Sequence, residues 1–341
     1  MNKPITIKDI AKMAGVAPST VSRVVTNSPG VGEQTRKRIW KLVLKYNYQP
    51  NSVARSLVKQ RLKTIGILVP KRSSAFFENP FFADVLMGVA EIASEQDYDV
   101  LLYTGGREWD LKSKNILQER KVDGLLAVGL RQDDPFLPLL QENKLQVVLV
   151  NREAEDPALP WVSVDNRQGV KAAVSYLIEQ GHRQIGFISG PETVQITQLR
   201  RQGYFDALRT HSILPRVELL MEGDYDEESG FQAAKKLLCL KPRPTAIFAS
   251  NDLMAIGALA AAKEQGIIVP QELSLFGFDN IHSSLHVDPP LSTVKIPAFK
   301  MGQLASELML DLLAGKTPRK IHILLPTELV IRQSTGKPGG C

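Results

Sequence analysis

Residues 50–63 read PNSVARSLVKQRLK, a short basic stretch with one apolar edge, and the chain changes character across it. Before it lies a small, positive segment patterned for helices. After it, from TIGILVP at 64–70, apolar strand runs alternate with helical patterns through the rest of the 341 residues. Residues 1–63 hold 13 Lys and Arg against Asp9 and Glu33, a net of +11, whereas the whole chain carries +6. The 29 basic and 34 acidic residues that follow leave the remainder at −5. Positive charge gathered in one compact unit predicts a polyanionic partner.

A chain of this length exceeds one small core and predicts at least two domains. With 43% hydrophobic and 23% charged residues it has the composition of a soluble globular protein. No apolar run approaches the ~18–20 residues that span a bilayer, and the opening MNKPITIKDIAK predicts no signal peptide. A cytoplasmic protein without a membrane partner is expected. Cys239, within AAKKLLCL, reads as a core residue and Cys341 as part of a disordered tail, so no disulfide or zinc site is expected.

In the head, 1–49, Thr6-Ile7-Lys8-Asp9 has the form of a capping box that starts a helix at Ile7. Gly15 stops that helix, and Pro18 suits the first position of a second running to Val25. Val21, Val24 and Val25 form the inner face of the second helix, which turns Pro18, Ser19, Ser22 and Arg23 outward. A third helix opens at Val31-Gly32-Glu33, with Trp40, Val43 and Tyr46 to Tyr48 expected toward the core. Two helices around a tight Gly turn predict a helix-turn-helix whose second helix enters the DNA major groove. Arg23 can read a guanine, and Thr6, Ser22, Thr35 and Tyr48 are candidates for phosphates. In the connector, 50–63, Asn51 is a good N-cap for about two turns of helix, a length marginal in isolation.

TIKDIAKMAGVAPSTVSRVV and TRKRIWKLVLKYNYQPNSVARSLV resemble the head of the lac-repressor/galactose-repressor family. The resemblance adds Thr20, Asn51, Ala54 and Arg55 to the DNA-binding set and implies that Leu57 wedges into the minor groove and kinks the duplex. Ala17 stands where the family's cap is usually Ser, and Thr26, Gly30 and Gly32 replace backbone-contacting residues.

The body, 64–335, predicts two doubly wound α/β units with parallel sheets. Lobe 1 is expected at about 64–163 plus 294–321, lobe 2 at about 164–291 plus 322–335, and a disordered tail at 336–341. No Walker A loop, GxGxxG after the first strand or GxSxG elbow is present, so neither an enzyme nor a cofactor is expected. His282 and His286 are four apart, but Pro289-Pro290 and the intervening serines argue for a loop, and no metal is expected.

Polar residues at strand ends are the ligand candidates: Asn151, Arg200, Tyr225, Asn251 and Asp279. Of these, Arg200 is expected to open a helix, and Asn251 and Asp279 suit helix caps equally well. The family resemblance implies that these residues line a sugar-binding cleft, closed from the first lobe by Asn79, Phe81 and Phe82. The positions with which a purine-binding member grips its base are here Val194 and Ile196, which disfavours a purine. ENPFFADVLMGV and ARSLVKQRLKTIGILVP resemble the family's maltose-regulator branch. The expected protein is a homodimeric repressor of a carbohydrate operon, with a periplasmic-binding-protein-like body, released from operator DNA by maltose or another α-glucoside. A corepressor-dependent regulator of the catabolite-control kind and a sugar-uptake protein are the alternatives.

Overall fold

The computed structural model describes residues 5–25, 28–48, 62–72, 79–105, 115–118, 121–132, 134–142 and 145–339. Asn51, Ala54, Arg55, Leu57 and the connector helix, together with Cys341, lie outside these residues. The chain divides into two compact units, Met1–Leu62 and Lys63–Cys341.

The first unit contains α1 (Ile7–Ala14), α2 (Pro18–Val25) and α3 (Glu33–Lys45). The capping box forms: the Asp9 amide donates to Thr6 Oγ1, and the Thr6 amide donates to Asp9 Oδ2 at 2.9 Å. Gly15 ends α1 at φ +64°, a left-handed conformation in which a side chain is strained. Ile10, Ala11, Ala14, Val21, Val24, Ile39 and Val43 make the small core. Trp40 does not join it. At 40% exposure it lies on the outer face, as does Tyr46, because Ile39 and Val43, four apart, already define the buried stripe of α3.

The second unit contains two sheets of the same design. The first has order β11-β5-β4-β3-β1-β2 and joins β1 (Thr64–Arg72), β2 (Asp99–Gly105), β3 (Gly124–Val128), β4 (Gln146–Val150), β5 (Trp161–Val164) and β11 (His322–Leu325). The second has order β12-β10-β9-β8-β6-β7 and joins β6 (Ile185–Ser189), β7 (Leu220–Glu222), β8 (Ala246–Ala249), β9 (Ser274–Asp279), β10 (Ser292–Lys295) and β12 (Glu328–Val330). Every pairing is parallel except β10 with β12. Parallel strands covered on both faces need unbroken apolar runs, and β3 and β6 are buried throughout. The covering helices are α4 (Pro80–Glu95), α5 (Phe136–Glu142), α6 (Asn166–Glu179), α7 (Gln195–Thr210), α8 (Glu227–Leu238), α9 (Asp252–Glu264) and α10 (Ala298–Leu313).

The chain passes between the sheets three times: after β5, between β10 and α10, and between β11 and β12. The expected lobe boundaries shift accordingly. Residues 322–325 pair with β5 in the first sheet, while 292–295 pair with β9 in the second. The C-terminal segment is also held further than expected. The Gly336 carbonyl meets His182 Nε2 at 2.9 Å, and the Gly336 amide donates to Ser274 Oγ at 3.0 Å. Cys239 is exposed rather than buried, since the inward positions just before it are Leu237 and Leu238. His282–Leu285 forms a turn of 3-10 helix where a loop was expected.

Candidate functional site

The outer face of α2 is the first candidate surface. Val21 and Val24 point into the core, leaving Pro18, Ser19 and Arg23 exposed and Thr20 and Ser22 half-buried. Thr35 and Tyr48 are also half-buried, and Tyr48 packs against the core. Thr6 has a local role beside any role at DNA: its hydroxyl donates to Asp9 Oδ2 at 2.7 Å.

The second surface is a cleft between the C-terminal edges of the two sheets, where doubly wound folds bind ligands. Hydrogen bonds across one rim show that these edges face each other. The Gln132 amide, after β3, donates to the Thr193 carbonyl, after β6, at 2.8 Å. The side-chain amides of Gln132 and Gln198 bond reciprocally at 3.2 and 3.3 Å. Gln195 closes a second pair: its Oε1 accepts from the Glu153 amide at 2.8 Å and its Nε2 donates to the Glu153 carbonyl at 3.0 Å.

Arg200 forms the buried centre of the second lobe's edge. It does not open a helix, as expected, but sits well inside α7, where it is 2% exposed. Its Nε donates to Asn166 Oδ1 at 2.8 Å and its Nη1 to the Ser250 carbonyl. Its Nη2 stands 3.7 Å from Asp279 Oδ1, and the Phe278 ring lies beneath the guanidinium at 3.8 Å. A buried cation needs such pairing to offset its lost hydration. Burial pushes the Asp279 carboxyl up to about 7, against the pull of Arg200. Its neighbour Asp252 is raised for the same reason and further by Asp279; it accepts from the Ile281 amide at 2.8 Å and from Thr293 Oγ1 at 2.5 Å.

Tyr225 and Asn251 are brought into this cluster. Tyr225 is buried, with its hydroxyl 2.7 Å from Thr197 Oγ1. Its ring occupies the space where a Cβ on Gly190 would sit, so close an approach requires glycine there. Asn251 caps α9 by accepting from the Met254 amide at 3.0 Å, and its Nδ2 donates to the Tyr225 carbonyl at 2.9 Å. It therefore acts as a cap and also positions Tyr225. Asn79 similarly caps α4 through the Phe81 amide at 3.0 Å. Phe81 and Phe82 are buried in the core, with ring centroids 5.3 Å apart.

Two buried polar atoms at the end of β4 have no protein partner: Asn151 Oδ1 and Arg152 Nε. The first seeks a donor and the second an acceptor, a pair that a hydroxyl-bearing ligand satisfies. Four of the eight non-glycine residues with positive φ among the described residues sit at the same edges. Asn151, Tyr225, Asp279 and Asn280 have φ of +57°, +64°, +116° and +63°, conformations that cost ~1–3 kcal/mol and gather at binding sites. Asn166, Thr197 and the three glutamines were not among the expected site residues. Asn166 follows β5, a four-residue strand too short to register in the pattern. The glutamines lie in turns or on a helix and carry no motif. A separate surface depression of about 350 Å³, lined by residues such as Arg167, Lys171 and Asp206, is an ion-pair cluster in which Asp206 takes both Arg167 and Arg209.

A helix-turn-helix head and a two-lobed ligand-binding body in one chain define a ligand-responsive DNA-binding regulator, a class without catalytic activity. The family model "Bacterial regulatory proteins, lacI family" matches residues 6–51, and "Periplasmic binding protein-like domain" matches 174–335. The chain belongs to the lacI family. It is 39% identical over 331 residues to the probable HTH-type transcriptional repressor ExuR of Bacillus subtilis (strain 168), covering 97% of this chain and 98% of that one. The lac repressor dimer bound to operator and the anti-inducer ONPF matches with a TM-score of 0.87 at 29% identity, over 98% of this chain and 100% of that one. The complex of the transcriptional regulator CelR with cellobiose matches with a TM-score of 0.77 at 31% identity, over 97% and 99%. The protein is a DNA-binding transcriptional repressor that responds to a small ligand. Among the described residues, no helix is long and apolar enough to cross a membrane.

Proposed function

We propose that the protein is a cytoplasmic homodimer that represses a carbohydrate-utilisation operon and leaves its operator when a small sugar enters the cleft. Pro18, Ser19, Thr20, Ser22 and Arg23 meet the major groove, Thr6, Thr35 and Tyr48 the phosphates, and Asn51, Ala54, Arg55 and Leu57 extend the contact into the minor groove. Asn151, Arg200, Tyr225 and Asp279 hold the sugar, with Asn79, Phe81, Phe82 and Asn251 shaping the wall around it. The observations that carry this reading are the unpartnered buried polar atoms at the end of β4, Asn151 Oδ1 and Arg152 Nε, and the buried Arg200–Asp279 pair at the end of β9. Such a site suits a neutral ligand rich in hydroxyl groups, which donate to one and accept from the other. Maltose, the sugar suggested by the sequence motifs, is the first candidate, and a disaccharide is in keeping with the similarity to the CelR–cellobiose complex.

The test is a thermal-shift panel of maltose, other α-glucosides, cellobiose and monosaccharides on the full chain. A true effector at 100 times its Kd stabilises the folded state by about 2.7 kcal/mol. A panel in which no sugar raises the unfolding midpoint contradicts the sugar reading.

A further inference from the structure

We propose that His282 and His286 form a surface site for one divalent transition-metal ion, on the turn that leads away from Asp279. The inference concerns a site separate from the effector cleft and holds whatever the effector is. The two imidazoles are exposed, their Nε2 atoms are 3.0 Å apart, and their rings are 4.6 Å apart at 63°. Two imidazole nitrogens bound to one ion at ~2.0–2.1 Å, with ligand angles from about 90° to 109°, lie ~2.8–3.4 Å from each other. The pair already has that separation. As it stands, one ring donates its Nε2–H to the other; moving that proton to Nδ1 exposes both Nε2 lone pairs without changing the proton count. Imidazole ligands of this kind suit Cu2+, Ni2+ and Zn2+, with water in the remaining positions.

The turn that carries the rings is built to stay in place. Ser284, fully buried, donates to the Ile281 carbonyl at 2.6 Å and accepts from Arg332 Nη1 at 3.0 Å. The Leu291 amide donates to the Ser284 carbonyl at 2.9 Å, and the His286 amide to the Ser283 carbonyl at 3.0 Å. Arg332 also reaches Asn280 Oδ1, and the Ile281 amide holds Asp252. The backbone between the two histidines is thus fixed before any ion arrives, which lowers the ordering cost of binding. The same network reaches Asp252 through the Ile281 amide and the residue after Asp279 through Arg332, so an ion here grips the segment that follows the cleft's acid.

Titration calorimetry of the full chain with NiCl2, and electron paramagnetic resonance with one equivalent of CuCl2, test the proposal. The wild type should bind one Ni2+ per chain, and the Cu2+ spectrum should carry nitrogen hyperfine structure from two imidazoles. His282→Ala and His286→Ala should each weaken Ni2+ at least tenfold and lose one nitrogen from the spectrum. Their metal-free unfolding midpoints should match the wild type, because both side chains are exposed. A His282→Ala/His286→Ala chain that binds Ni2+ with wild-type affinity and stoichiometry overturns the proposal, as does a wild type that takes up no Ni2+ at 100 times the protein concentration.

Discussion

Asp279 keeps its proton to about pH 7 in the folded chain, because burial pushes its carboxyl up against the opposing pull of Arg200. In the unfolded chain the same carboxyl ionises near its ordinary value of 3.8. Between these values the folded state holds the extra proton, so stability is full below the lower value and falls as pH rises toward 7, by ~1.4 kcal/mol per pH unit. Asp279→Asn is expected to remove this group's share of the slope, leaving the part due to Asp252, and urea unfolding from pH 4 to 8 measures the change. At the other surface, Arg23→Ala is expected to cost ~1–3 kcal/mol of discrimination between operator and random DNA, with the head still folded because Arg23 is exposed. Competition binding with both DNAs checks it; equal discrimination removes Arg23 from base reading.

At the scale of elements, the rim glutamines bond one lobe to the other. Two side-chain pairs, Gln132 with Gln198 and Gln195 with the Glu153 backbone, join elements that follow β3, β4 and β6. Neutral hydrogen bonds contribute ~0.5–1.5 kcal/mol each. Gln195→Ala with Gln198→Ala is therefore expected to widen the cleft and weaken the effector about tenfold; an unchanged radius of gyration by small-angle scattering and unchanged effector affinity contradict that role. Leu57→Ala is expected to reduce DNA bending at unchanged head stability, measured by fluorescence transfer across the operator. The helices of the head and most strands of the body were legible, because a capping box, a Gly stop and uninterrupted apolar runs are local signals. β5, β11 and β12 were not legible. They are three or four residues long, and their place depends on which strand they pair with, which no local pattern encodes. Trp40 was misplaced for a related reason: an aromatic ring suggests burial, but the stripe set by Ile39 and Val43 leaves its position outside.

For the whole molecule, the two sheets repeat one strand order, and three chain crossings join them. The rim bonds and a buried apolar cluster that takes residues from both sheets also join the lobes. The candidate site was partly legible at this scale, since strand-end polar residues mark the cleft of a doubly wound fold. Asn151, Arg200, Tyr225 and Asp279 lie at that edge, whereas Asn79 and Asn251 are also helix caps whose side chains are committed to the backbone. The partners that complete the cluster, Asn166 and Thr197, depend on distances between separate helices and strands. Operator binding with and without maltose, in the wild type and in Asp279→Ala, tests most directly whether cleft occupancy sets operator affinity. Weakening of about 5- to 150-fold by the sugar in the wild type, with no response but normal operator affinity in Asp279→Ala, is the expected result. A wild type whose operator affinity is unchanged or tightened by maltose and by every sugar that stabilises the fold contradicts the account.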